Sequence, residues 1–246
     1  MKLTAANVVA DALRLMHRDP AVLVAIAGPF WFLPAYAIAL FVPPPPMRSA
    51  DQLDNQGATL AWVDGFGQWL AAQGPWYLAA WAIGLWGTAT VYALYLDQDR
   101  PDVRGALVRG AALWPRLALA SALVGMMAGA GLLLWVLPGL YLLGRLTPVG
   151  PALAAEQPMS AVAAISRAFR LTSGNGLALM AVAAATLGLS WMLGQPFLMV
   201  SDWLAAQGGG NPVAIAIVDA GAAAVAAAAG LASALIAAAA YRRLAR

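Results

Sequence analysis

The chain has no cysteine and a single histidine, His17. Without cysteine there is no disulfide, no thiolate metal ligand and no thiol nucleophile. One imidazole is too few for a histidine-built metal site. Charge is scarce as well: Asp, Glu, Lys and Arg make up 10% of 246 residues, where a soluble domain carries roughly a quarter. That scarcity excludes an ordinary water-facing surface. Fourteen Lys and Arg against eleven Asp and Glu leave a net charge of only +3, with no basic block, so nucleic acid is not an expected partner. No cofactor is expected either.

Apolar side chains take the place of what is missing. They form 62% of the sequence, with a mean hydropathy of +0.74. No globule of this length has interior enough for them, so the expected fold is an all-α polytopic membrane protein, one domain over residues 1–246. A crossing takes about 20 mostly apolar residues. Six stretches qualify, at about 21–42, 76–96, 117–137, 138–155, 177–200 and 213–241. Pro43, Pro44, Pro45 and Pro46 close the first by removing four amide donors. Its apolar run is too long, and its leader too rich in Asp11 and Asp19, for a cleaved signal peptide. Leu137-Pro138-Gly139 predicts a tight reversal between spans three and four. Residues 43–75 form an outer loop, and Leu60, Trp62, Phe66, Trp69 and Leu70 predict a short amphipathic helix within it at head-group depth.

Basic residues set the orientation. Lys2, Arg14 and Arg18 precede span one; Arg100, Arg104, Arg109 and Arg116 follow span two; Arg167 and Arg170 follow span four; Arg242, Arg243 and Arg246 end the chain. All lie on one side of a six-span plan, which makes both termini cytoplasmic. Arg48, Asp51, Asp54, Asp64 and Asp202 mark the other side.

Three basic stretches with helical apolar spacing precede spans on that cytoplasmic side, at 4–19, about 103–114 and about 162–171. Such helices lie in the membrane interface. They would serve as anchors that fix span depth, or as grips on anionic lipid through Arg104, Arg109, Arg167 and Arg170. Gly125-x-x-x-Gly129 permits close helix approach, within the chain or in a homo-oligomer.

The run Pro138-Gly-Leu-Tyr-Leu-Leu-Gly-Arg145, with Pro151 and Glu156 beyond it and Arg167, Leu171, Thr172, Gly174 and Asn175 after, resembles bacterial integral membrane proteins of the YciC-like group. It is similar also to the membrane domain that accompanies some glycerophosphodiester phosphodiesterases. The resemblance implies a multi-pass protein of the bacterial inner membrane. It does not bring the enzyme's activity, because the catalytic barrel's histidines and paired carboxylates have no counterpart here.

Ionisable residues inside spans are the candidate sites, since an isolated charge in lipid costs several kcal/mol. Arg145 in span four and Asp219 in span six lie at matching depth counted from their span entrances, which predicts an ion pair. Pro148 and Pro151 free the carbonyls of Gly144 and Thr147 beside Arg145. Arg145, Thr147 and Asp219 would then line a polar pocket, or form a kink closed by a salt bridge. Glu156 is expected to bridge to Arg167 or Arg170, and His17 to be an interfacial side chain. Ser190 and Thr186 have no histidine or carboxylate near them in sequence, so no nucleophile is activated and no enzyme is expected. The expected function is non-enzymatic: interaction with membrane lipid or an envelope partner protein through the basic helices. The alternative is a small transporter or channel using Arg145 and Asp219.

Overall fold

A computed structural model of the chain describes residues 3–47, 56–97, 99, 101–206 and 211–245. Lys2, Arg48, Asp51, Asp54, Arg100 and Arg246 lie outside them. Ten α-helices and one π-helical turn account for nearly all the described residues, and no strand occurs among these. Five helical stretches are long and apolar enough to cross a membrane: Pro20–Phe41, Gly57–Leu96, Val103–Leu134, Gly176–Leu204 and Pro212–Leu244.

Helix α1 (Ala5–Arg18) starts at Thr4, whose side chain accepts from the Asn7 amide. Pro20 cannot extend it and instead opens α2 (Pro20–Ala27) at its first position. A π-helical turn at Gly28–Phe32 links α2 to α3 (Leu33–Phe41), so these three pieces form one apolar column. Val42 is extended, and the proline run ends the column as expected.

Helix α4 (Gln56–Leu96) is longer than expected. The surface helix foreseen inside the outer loop is the first part of α4, which continues through Pro75. Trp62 and Trp69 donate from their indoles to the carbonyls of Pro46 and Pro43, 3.0 and 2.9 Å away. The proline segment is thus clipped along α4.

Helix α5 (Val103–Leu134), capped by Asp102, merges the second expected surface helix with span three. Pro115 removes one internal bond without ending the helix, because α5 packs along α4 and Trp114 donates to the Ala82 carbonyl at 2.8 Å. The reversal after α5 falls at Trp135 and not at Pro138: Trp135 is extended, with φ −169° and ψ 148°. Pro138 sits in the first turn of α6 (Val136–Leu146), where its missing N–H would have had no helical partner anyway. The two arms meet glycine to glycine. A Cβ on Gly131 would come 2.9 Å from the Gly139 Cα, so neither position has space for a side chain.

Span four is broken. Pro148 has no amide to donate to the Gly144 carbonyl, and that carbonyl is closed instead by a tight turn from the Thr147 N–H at 3.3 Å. The chain resumes as α7 (Val149–Ala155), then α8 (Ala161–Leu171), capped by Ser160. Helices α6 and α7 are 11 and 7 residues long, about 16 and 10 Å at 1.5 Å per residue. Neither alone spans hydrocarbon, though together they return the chain to the end at which α5 began. Helices α9 (Gly176–Ala206) and α10 (Pro212–Leu244) pair antiparallel and complete the bundle.

The core lies near the arginine-rich end, where Val8, Leu23, Val91, Leu153, Leu179 and Leu235 are buried. Large apolar side chains elsewhere are exposed, including Leu133, Trp191, Met192 and Trp203. That inversion of the soluble pattern suits a lipid surround.

Candidate functional site

Carboxylates and guanidiniums gather at one end of the bundle, where α1, α4, α5, α7, α8 and α10 start or stop. Most of the arginines there are already paired. Asp11 holds Arg14 at 3.0 Å and also Arg243, tying α1 to the end of α10. Arg109 bonds Asp97 and, at 2.9 Å, Asp99. That guanidinium holds the Asp97 carboxyl below the usual carboxylate range.

Glu156 makes the bridge expected of it. Both of its oxygens accept from Arg167 Nε at 3.0 Å, and one also accepts from the Tyr241 hydroxyl at 2.8 Å. Three helices are thereby clamped: α7 ends at Glu156, α8 carries Arg167, and α10 carries Tyr241. Nothing in the sequence marked Tyr241, which lies 85 residues away.

Arg145 and Asp219 are not brought together. Arg145 sits where α6 meets the last turn of α8 and the start of α9. It donates from Nε to Thr172 Oγ1 at 2.7 Å, from Nη2 to the Phe169 carbonyl at 2.6 Å and from Nη1 to the Tyr141 hydroxyl at 3.1 Å. Its guanidinium carbon also lies 5.7 and 5.1 Å from the ring centres of Tyr141 and Phe169. Asp219 instead accepts from Ser201 Oγ at 2.9 Å. Gly144, beside Arg145, packs on the backbone of Leu179 and Met180. Met180 and Ser201 are 21 residues apart in one helix, about 30 Å at 1.5 Å per residue. The expected ion pair fails because counting from span entrances treats α6 and α10 as upright neighbours. In the fold Arg145 lies beside the start of α9 and Asp219 beside its end.

Thr147 is no pocket wall either: its hydroxyl returns to the Leu143 carbonyl at 3.0 Å. Of the two carbonyls that the prolines free, that of Gly144 is closed from within the chain. Several residues of the sequence motif nevertheless converge. Tyr141, Arg145 and Thr172 form one cluster, Glu156 and Arg167 another, and Gly174 adopts φ +76° in the α8–α9 turn, a left-handed conformation suited to glycine. Asn175, next in line, accepts the Leu3 amide at 3.2 Å and fastens the start of the chain. Tyr141 could have been foreseen as a neighbour four residues from Arg145; Thr172 could not.

The arginines left over are Arg104, Arg116, Arg170 and Arg242. All four are exposed and none has a hydrogen-bond or ion-pair partner among the described residues. Two of the expected lipid contacts, Arg109 and Arg167, are committed to carboxylates, while Arg104 and Arg170 are free.

Helix faces explain where the free ones point. On α1, Val8, Ala12 and Leu15 are buried. One residue along, Val9, Leu13 and Met16 are 40%, 49% and 45% exposed, an apolar stripe that no described part of the chain covers. Asp11, Arg14 and Arg18 occupy the third side. On helix α8, Ala161, Ala164 and Ala168 are buried, Ile165 and Phe169 pack half-buried on the core, and Val162, 65% exposed, shares the outer side with Ser166 and Arg170 at four-residue spacing. Helix α1 thus has a protein-facing row, an uncovered apolar row and a polar row, and α8 has a protein-facing row with an outer side that runs from Val162 to Arg170.

His17 is exposed on α1, with no hydrogen-bond or ion-pair partner among the described residues. Thr186 and Ser190 bond carbonyls one turn back, Val182 and Thr186. Among the described residues no group of three His, Cys, Asp or Glu could hold a metal. Neither a family model, nor a curated protein, nor a solved structure matches this chain.

Proposed function

We propose that this is a non-enzymatic multi-pass protein of the bacterial inner membrane that engages anionic lipid head groups from the cytoplasmic leaflet. The observation that carries the reading is the three-row division of α1, beside which α8 exposes Val162 and Arg170. A helix with one row on protein, one apolar row uncovered and one arginine-bearing row suits the plane between acyl chains and water. Arg104 and Arg170 supply charge that no described carboxylate pairs with. In this arrangement α6 and α7 together make the sixth crossing, both termini lie in the cytoplasm, and the arginine-rich end faces inward. An envelope partner protein would meet the same end.

The transport alternative loses its polar path, because Arg145 and Asp219 belong to separate ends of α9 and Thr147 bonds within its own helix.

The test compares spin-labelled phosphatidylglycerol and phosphatidylcholine for association with purified protein in bilayers. The wild type is expected to prefer the anionic lipid. Arg104→Gln with Arg170→Gln should weaken that preference by about 1 kcal/mol per residue, roughly fivefold each. Equal association of the two lipids with the wild type would refute the reading.

A further inference from the structure

Between the start of α2 and the ends of α4 and α10 lies a basin of about 800 Å³. Its lining includes half-buried Val22, Leu94 and Leu96. Its rim carries both signs of charge: Arg18 and Arg242 on one side of the balance, Asp19, Asp97 and Asp102 on the other.

Bonding capacity decides what the rim can take. Asp97 is committed to Arg109. Arg242 makes no bond among the described residues, and Arg18 has only a 3.5 Å contact from Nε to Asp19, with its side chain 60% exposed. Both guanidiniums therefore present unused N–H groups. Asp102 uses one oxygen, Oδ1, to cap α5 through the Gly105 amide at 2.8 Å. Asp19 accepts from the Tyr95 hydroxyl on Oδ2 at 3.4 Å, the same oxygen that lies 3.5 Å from Arg18 Nε. The second oxygen of each carboxylate is free of hydrogen bonds among the described residues.

We propose that this basin binds a zwitterion that joins a phosphate anion to a primary ammonium, the chemistry of a phosphoethanolamine head group. Arg242 and Arg18 hold the phosphate, since guanidinium donors match its oxygens in charge and geometry. Asp19 and Asp102 accept N–H bonds from the ammonium. A simple anion would face three carboxylates and a simple cation two guanidiniums, so a ligand bearing both charges is the one that satisfies the rim. Val22, Leu94 and Leu96 in the lining favour the lipid-borne form over the free head group. This inference rests on the proposed membrane reading and names a lipid class that reading does not.

The experiment is native mass spectrometry of the full-length protein in detergent, titrated with phosphatidylethanolamine, phosphatidylcholine or phosphatidylglycerol. Free phosphoethanolamine, ethanolamine and inorganic phosphate serve as competitors. Phosphatidylethanolamine is expected to bind at least tenfold more tightly than phosphatidylcholine, whose quaternary ammonium has no N–H to donate. Asp102→Asn should remove that margin, whereas Arg242→Gln should weaken both lipids alike, since each carries the phosphate. Asparagine keeps the α5 cap, so the first variant guards against loss of fold. Competition by phosphoethanolamine, but by neither ethanolamine nor phosphate, would support recognition of the head group; displacement only by intact lipid would support a lipid-borne ligand. Equal binding of ethanolamine and choline lipids would overturn the basin's assignment. Phosphatidylglycerol binding that depends on Arg104 and Arg170 would still stand in that case, so the two readings fail separately.

Discussion

Arg145 sits in an apolar bundle with no carboxylate bonded to it among the described residues, and oxygen acceptors meet it on three sides. Phe169 contributes a carbonyl from the last turn of α8, where the helix dipole favours a cation; Thr172 and Tyr141 add hydroxyls. The guanidinium therefore acts as the cap that fixes α8 to α6. Replacing it with Met should destabilise the fold by about 2–4 kcal/mol, since charge-assisted bonds are lost and buried acceptors left open. Lysine should recover little, because one ammonium cannot reach three separated acceptors. In unfolding experiments a double-mutant cycle of Arg145→Met with Thr172→Val should show coupling near 1 kcal/mol, and one with Asp219→Asn should be additive within about 0.5 kcal/mol. Strong coupling to Asp219 would contradict the geometry. Asp97 gives a pH dependence of defined sign. Arg109 lowers its folded pKa, so its contribution to stability is complete above the unfolded carboxylate value near 4 and fades as pH falls through the folded value. The thermal midpoint of the wild type should drop on acidification below about pH 4, and Asp97→Asn should flatten that part of the profile. An unchanged slope in the variant would remove Asp97 from the account.

At the scale of elements, glycine placement separates contact from open surface. A Cβ on Gly139 would fall 2.4 Å from Leu132 Cγ and 2.6 Å from the Leu132 amide nitrogen. Gly139→Val should therefore force apart the α5–α6 hairpin and cost about 1–3 kcal/mol. A Cβ on Gly125 or Gly129 would meet nothing within 4 Å, so Gly129→Val should leave the thermal midpoint of the monomer nearly unchanged. A large loss there would show that a second copy packs on this face. The same contrast explains what hydropathy could and could not reveal. The five long apolar helices were legible, because length and lipid solubility suffice to define them. The proline run after Phe41 was legible too, since four missing donors cannot be compensated. Pro75 and Pro115 were not: a single proline ends a helix or stays inside it according to what packs alongside, and α4 and α5 support each other through Trp114 and Trp86. The bridge from Glu156 to Arg167 was foreseeable because both lie within one short connection. The partners of Arg145 and Asp219 were not, since they depend on which ends of α9 the neighbouring helices reach.

For the whole molecule, the absence of cysteine turns from an exclusion into a tool. Any single cysteine introduced is the only thiol, so membrane sidedness can be mapped without background. If the arginine-rich end faces the cytoplasm, Ala245→Cys and Gln157→Cys should resist a membrane-impermeant maleimide in intact cells and react after permeabilisation. Met47→Cys, at the opposite end beyond the proline run, should react in cells whose outer barrier alone is opened. The same reagent distinguishes the rows of α1. Arg14→Cys, on the exposed polar side, should label readily in permeabilised membranes, whereas Leu13→Cys, 49% exposed in the bare protein, should be shielded by lipid until detergent is added. Detergent sensitivity at Leu13 but not at Arg14 is the signature of a helix lying in the interface. Equal labelling at both positions would place α1 in water and leave its apolar row for another protein to cover. Labelling of Ala245→Cys in intact cells would invert the topology, and with it the leaflet whose lipids the free arginines meet.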